Sequence, residues 1–154
     1  MSRELRTEIA IDASAQEVWA ILADTAAYPD WNPFVRKISG RLEVGDRLEV
    51  ELTPPGGRGM TIRPVVREVR AGRGFSWLGS VGIPGVFDGE HSFQIEPLGE
   101  GRVRFLHSER FSGILAPVIM AFIEDSTRKG FEAMNQALKE RAEAKGASRA
   151  GAAS

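Results

Sequence analysis

Cysteine is absent from the 154-residue sequence, which excludes disulfides, thiolate nucleophiles and thiolate metal ligands and fits a reducing compartment. Neither sign of charge is in excess. Lys and Arg number 20 against 21 Asp and Glu, a net charge of −1, so no field gathers nucleic acid or an anionic membrane. Long apolar runs are missing too: Ile114 to Ile123 is interrupted by Pro117 and stops at Glu124, about half the length of a bilayer span. The opening MSRELRTEI has no apolar region of the kind a secretion signal requires. No phosphate-loop glycine spacing occurs, so nucleotide binding has no support. What remains is a cytoplasmic chain without stable membrane insertion, long enough to bury one core, or one core with a cavity.

Alternation is the dominant pattern. Leu5, Thr7, Ile9 and Ile11 alternate with Arg6, Glu8 and Ala10, a period of two that marks a first strand with one covered face. Ser14-Ala-Gln-Glu17 reads as a capping box opening a short helix to about Ala23. YPDWNPF (28–34) follows; its prolines push Tyr28 and Asn32 out of the helical region. A single turn from near Asp30 would set Tyr28, Trp31 and Phe34 on one side as a packing plug. Beyond it the period of two returns around Leu48–Leu52, Phe75–Trp77, Phe87–Ile95 and Val103–Phe111, with short glycine-containing connections, which predicts an antiparallel six-stranded meander. Two longer connections, 53–59 and 79–85, fall at the same end of that meander and share a rim with the exit of the last strand. A long helix is expected from Pro117 to about Lys145, capped by Gly146 and apolar along Ile119, Phe122, Ile123, Phe131, Met134 and Leu138. Residues 1–145 then form one α+β domain and 146–154 a flexible tail.

This order of elements, with YPDWNPF, FDGEHSFQIEPL (87–98) and HSERFSGIL (107–115), resembles the START-like superfamily and its bacterial polyketide cyclase/dehydrase-like branch over roughly residues 3 to 140. The resemblance implies the helix-grip fold: a curved antiparallel sheet wrapped around a C-terminal helix, enclosing a cavity for hydrophobic small molecules. Relatives include lipid carriers, hormone receptors, aromatic polyketide cyclases and activators of chaperones, among which the fold does not select. No catalytic signature of a characterised cyclase falls on positions of this sequence.

Strand register adds what the family does not. Along FDGEHSFQI the apolar residues Phe87, Phe93 and Ile95 occupy odd positions, so Gly89 and His91 face inward with them. The same reasoning turns His107 and Glu109 inward between Phe105 and Phe111. A three-residue loop at Gly99-Glu100-Gly101 sets Leu98 opposite Arg102, His91 opposite Glu109 and Phe93 opposite His107; a five-residue loop pairs His91 with His107. The first register also matches Glu96 with Arg104 and Glu90 with Arg110, which favours it. Either way both histidines and one carboxylate cluster on the inner face. A carboxylate there needs a partner or water, so the cluster is a structural network, a ligand anchor or an acid–base site. Metal is not expected, and neither is a cofactor.

Trp77 should face inward with Phe75, as core or as a stacking surface. Met60, Ile83, Leu115, Ile119, Phe122 and Ile123 fall near the predicted rim or the start of the last helix, where an apolar ligand would enter, with ordinary core packing as the alternative. The expected function is binding of a small, largely hydrophobic molecule, aromatic or lipid-like, against Trp77, Phe87, Phe93, Phe105 and Phe111, with His91, His107 and Glu109 fixing its polar end. The alternatives are a cyclase or dehydratase moving protons through the same groups, and a protein-interaction module, for which the sequence shows no obvious apolar surface patch.

Overall fold

A computed structural model describes the backbone of residues 3–153 and the side chains through 146. Strand β1 (Arg3–Ile11) leads to helix α1 (Ala15–Ala23), a 3-10 turn (Thr25–Ala27) and the single turn α2 (Tyr28–Trp31). Seven strands follow: β2 (Val35–Ser39), β3 (Glu49–Leu52), β4 (Met60–Ile62), β5 (Val65–Arg70), β6 (Gly74–Ser80), β7 (Asp88–Gly99) and β8 (Arg102–Ser112). Helix α3 (Ala116–Ala153) closes the chain. It packs against β1, β8 and α1, so the architecture is the α+β helix grip.

The strands divide into a five-stranded sheet, β1-β8-β7-β6-β5, and a three-stranded one, β2-β3-β4. The expected six-stranded meander is present, with its third strand broken into β4 and β5 at Arg63-Pro64. Proline has no N–H for the ladder. The break is sutured by Leu48 N donating to Pro64 O at 2.8 Å and by mutual bonds between Asp46 and Val66 or their neighbours, such as Val66 N to Asp46 O at 2.9 Å.

Between β7 and β8 the register is His91 opposite Glu109, Phe93 opposite His107, Glu96 opposite Arg104 and Glu90 opposite Arg110. The register is the one expected from a three-residue loop, but the loop is not: the ladder shifts between Pro97 and Gly99, Gly99 and not Leu98 faces Arg102, and the connection is the two residues Glu100-Gly101. Proline again interrupts pairing, and Leu98 is squeezed out as a bulge.

Helix α1 begins with the expected capping box, Glu17 N donating to Ser14 Oγ at 3.1 Å and Ser14 N to Glu17 Oε1 at 3.2 Å. The corner departs from expectation. Its turn starts at Tyr28, which is helical (φ −53, ψ −38) although it precedes Pro29, while Asn32 is extended. The pre-proline bias is weak, and Tyr28 is held by its fully buried ring and by its hydroxyl donating to Leu22 O at 2.6 Å. Burial, reinforced by the charge of Asp24, raises that hydroxyl above the ordinary tyrosine range, so it remains a donor. Asn32 Oδ1 accepts from the N–H groups of Phe34 and Val35 at 3.0 and 2.9 Å and sends the chain into β2.

On α3 the inward stripe is Met120, Ile123, Thr127, Phe131, Met134, Leu138 and Ala142, spaced three and four apart. Met120, Phe131, Met134 and Leu138 are fully buried, worth on the order of 6–12 kcal/mol of gross burial. Phe122 was expected on this side and is not: at about 100° per residue it stands about 180° from Phe131, and it is 84% exposed. Gly146 does not cap the helix, which continues to Ala153; the side chains of residues 147–154 lie outside those described. Among the described residues no helix is long and apolar enough to cross a membrane.

Candidate functional site

The inner end of the grip is solid. Phe93, Phe105, His107, Phe131, Met134 and Leu138 fill it without exposure. Toward the other end the two layers part, and a cavity of about 110 Å³ opens between β6–β8, the small sheet and the first half of α3. Trp77, Phe87 and Phe111 form one wall, Leu52, Met60 and Ile62 the opposite one, and Ile123 and Thr127 of α3 the third. Both long connections contribute to the mouth through Pro54, Ser80 and Val81, as their position in the meander predicted. At about 30 Å³ of liquid volume per water the cavity has room for roughly four waters, somewhat less than the ~150 Å³ hollow that takes a benzene, so the enclosed part accepts about one ring. A wider depression of about 460 Å³ on the outer sheet face is walled by the outward-facing side chains of residues such as Arg70, Arg73 and Glu90 and has no apolar enclosure.

Phe34 is the floor. Its ring lies directly on the backbone of Gly130, where a Cβ would stand 2.5 Å from ring carbon Cδ1, and it meets Phe131 edge-on at 5.7 Å. Only glycine at 130 permits this approach. A second glycine shapes the polar corner: a Cβ on Gly89 would collide with Glu109 Oε2, so the missing side chain is the seat of the carboxylate. Glu109 is the acidic group lining the cavity, and its side chain is 17% exposed.

Behind Glu109 runs a buried chain of polar contacts. His91 Nδ1 is 3.4 Å from Glu109 Oε1, and His91 Nε2 meets His107 Nε2 at 2.6 Å. His107 Nδ1 lies 2.9 Å from Asn135 Oδ1. Asn135 Nδ2 donates to Thr7 Oγ1 at 2.9 Å, and Thr7 Oγ1 donates to His107 O at 2.9 Å. The register places Thr7 opposite His107, and one helical turn places Asn135 next to Phe131, whose ring stacks on His107 at 4.1 Å and 8°. Burial above all, then the neighbouring His91, holds His107 well below the ordinary histidine value, against the opposing bond to Asn135. It is therefore neutral at physiological pH.

Of the residues expected in the site, Trp77, Phe87, Glu109, Phe111 and Ile123 line the cavity. His91 and His107 point inward as expected but are sealed in the core, reaching the cavity only through Glu109. Phe93 and Phe105 are core: both are fully buried, Phe93 stacking on His91 and Phe105 meeting His107 at a tilt. Leu115 lies in the turn before α3, 44% exposed, and Ile119 packs on the core without reaching the hollow. Phe34, whose sequence context allows a pocket lining but favours a plug, is the floor. Two residues were passed over: Thr7 and Asn135 complete the chain. Their signals were a hydroxyl on the apolar face of β1 and an amide beside the apolar stripe of α3. The surface reading also changes: Ile83 (74% exposed), Ile114 (80%) and Phe122 are uncovered apolar side chains, and the bond from Ile114 N to Gly85 O ties their loops together. Among the described residues no three His, Asp or Glu are grouped to hold a metal ion.

A curved sheet gripping one long helix, hollow at one end with a single carboxylate inside, defines a START-like ligand-binding fold. The chain belongs to the family described as polyketide cyclase/dehydrase and lipid transport, whose model matches residues 2–143. Solved structures agree. A START superfamily protein from Mycobacterium smegmatis superposes with a TM-score of 0.71 at 21% identity, covering 91% of this chain and 97% of that one. The Zhui aromatase/cyclase from Streptomyces sp. R1128 gives 0.67 at 18%, covering 93% and 94%. Norcoclaurine synthase from Thalictrum flavum, solved in complex with dopamine and hydroxybenzaldehyde, gives 0.69 at 18%, covering 91% and 86%. At these identities the likeness is one of fold. No curated protein matches the sequence.

Proposed function

We propose that the protein binds a small, flat, largely apolar molecule in the cavity between Trp77 and Ile123, and that Glu109 holds its polar end. The observation that carries this reading is one carboxylate set into a mostly apolar hollow. A carboxylate in such a place costs several kcal/mol unless it is partnered, and His91 attends only to Oε1, which leaves Oε2, above Gly89, for a donor on the ligand. The donor required is a hydroxyl or N–H; an anionic ligand end would be repelled. The enclosed hollow suits about one ring, and a second fused ring would lie in the mouth beside Pro54 and Val81. Support comes also from the fold relative that holds dopamine and hydroxybenzaldehyde, each built on a phenolic ring. A cytoplasmic setting fits the lack of cysteine.

The test is a titration with 2-naphthol, followed by quenching of tryptophan fluorescence. Glu109→Gln removes a charge-assisted hydrogen bond worth about 1.5–3 kcal/mol, so affinity should fall by roughly ten- to a hundredfold. Equal affinity in the variant, or preference for 2-naphthoate over 2-naphthol, would refute the assignment.

A further inference from the structure

Two stretches of the chain carry no charged residue: 79–87, GSVGIPGVF, and 113–123, GILAPVIMAFI. The fold ties them into one surface. Ile114 N donates to Gly85 O at 3.0 Å and Leu115 N to Val86 O at 2.9 Å, while Val81 N closes its own loop on Phe87 O at 2.9 Å. Gly113 permits this approach, because with φ +109 it sets backbone against backbone, and a Cβ there would stand 2.4 Å from Val86 O. Val81, Ile83, Ile114, Leu115, Val118 and Phe122 project from the seam, between 44% and 84% exposed. Val118 and Phe122 are one turn apart and so share the outer side of α3. Together the six residues expose roughly 700 Å², more than the about 300–600 Å² of the largest apolar patch on a typical monomer and close to the about 800 Å² that each partner buries in a standard interface.

We propose that this face is a self-association surface, covered by the same face of a second copy of the chain. Across a two-fold axis the side chains nearest the axis meet their own copies, so a charged patch repels itself and an uncharged one does not. The two stretches meet that condition over their whole length. Charges on α3 begin at the edge of the patch and come as pairs, Glu124 with Arg3 at 2.8 Å and Asp125 with Lys129 at 3.2 Å. An apolar centre inside a polar rim is the anatomy of a protein interface. A lipid surface fits less well, since binding at the headgroups draws on Lys, Arg, Trp and Tyr, and none of these occurs in either stretch. The seam is also preformed by its backbone bonds, which lowers the ordering cost of association. Its area is at the low end of the standard class, so pairing sets in at micromolar concentration and the dilute chain is the monomer, with Phe122 in solvent. Val81 belongs both to this face and to the mouth of the cavity, which puts the partner beside the entrance; the pairing itself does not depend on what the cavity binds.

The test is sedimentation equilibrium from about 5 to about 500 µM, a range that brackets micromolar association. The weight-average mass of the wild type should climb from 16.8 kDa toward twice that value. Phe122→Asp and Ile114→Asp set like charges across the axis and should lower the association constant at least about tenfold. Their melting temperatures at about 5 µM should stay within about 2 °C of the wild type, as substitutions at exposed positions do. A wild type that remains monomeric throughout overturns the inference, and so does association that both variants retain, which would place the contact elsewhere. Vesicles of phosphatidylcholine and phosphatidylserine are spun with the protein in parallel. Vesicle binding that Phe122→Asp abolishes, by a wild type monomeric in solution, would assign the face to a lipid surface and overturn the second copy as its occupant.

Discussion

His107 should make the fold acid-labile, by an amount that can be worked out. Its ring is fully buried and stacked on Phe131, and that burial holds it well below the ordinary value of 6.5. The sign follows from proton counting. Below 6.5 the unfolded chain takes up a proton that the folded chain refuses until a much lower pH, so stability is complete above about pH 6.5 and falls as pH drops. At 1.36 kcal/mol per unit the loss reaches about 2 kcal/mol by pH 5. For a chain of 154 residues that corresponds to about 4–8 °C in Tm. The assay is urea denaturation at about pH 7.5 and pH 5 of the wild type and of His107→Phe, since phenylalanine fits the ring stack and binds no proton. The variant leaves Asn135 Oδ1 and His91 Nε2 without the partner they have on His107, each costing on the order of 1–3 kcal/mol, so it starts less stable. Its further loss on acidification should nevertheless be smaller by about 2 kcal/mol, because titrations common to both proteins cancel. An equal loss in the two proteins would refute the reasoning.

Gly89→Ala drives a methyl group into the Glu109 carboxylate; 2-naphthol affinity should drop at least tenfold, at a stability cost of about 1–3 kcal/mol, read by fluorescence titration and denaturant melts. Tyr28→Phe strands the carbonyl of Leu22 and should cost about 1–2 kcal/mol with naphthol affinity unchanged, since the corner hydroxyl is remote from the cavity. Phe122→Ser should alter stability by less than about 0.5 kcal/mol and leave affinity as it was, because that side chain faces solvent.

Much of the architecture was legible because strand alternation has a period of two and each face declares itself. The pairing of His91 with Glu109 followed from the outer-face pairs Glu90–Arg110 and Glu96–Arg104; the loop assumed was one residue too long, and the bulge at Leu98 restored the register. The break at Pro64 was harder to read, since a proline ends a ladder without saying whether the chain turns or resumes beyond it. Phe122 was misplaced because an apolar run at the start of a helix hides which residues share its inward side; only the spacing from Met120 to Ala142 resolves it. The candidate site was half legible. Trp77, Phe87, Glu109, Phe111 and Ile123 could be placed by face, but whether a buried face meets a hollow or another side chain depends on how two sheets and a helix diverge. Gly89 and Gly130 shape the hollow by what they leave out, the one seating the Glu109 carboxylate and the other admitting the Phe34 ring. Thr7 and Asn135 carried weak signals, single polar residues at apolar positions, whose meaning required the partner across the core.

The central claim is that the far end of the grip is filled while the end bounded by Trp77, Phe34 and Ile123 is open to a ligand. Methyl-resolved NMR during a 2-naphthol titration tests it most directly. Shifts should concentrate at Leu52, Met60, Ile62 and Ile123 and leave Met134 and Leu138 unmoved. Shifts centred on Met134 and Leu138, or confined to the exposed Ile83 and Ile114, would contradict it.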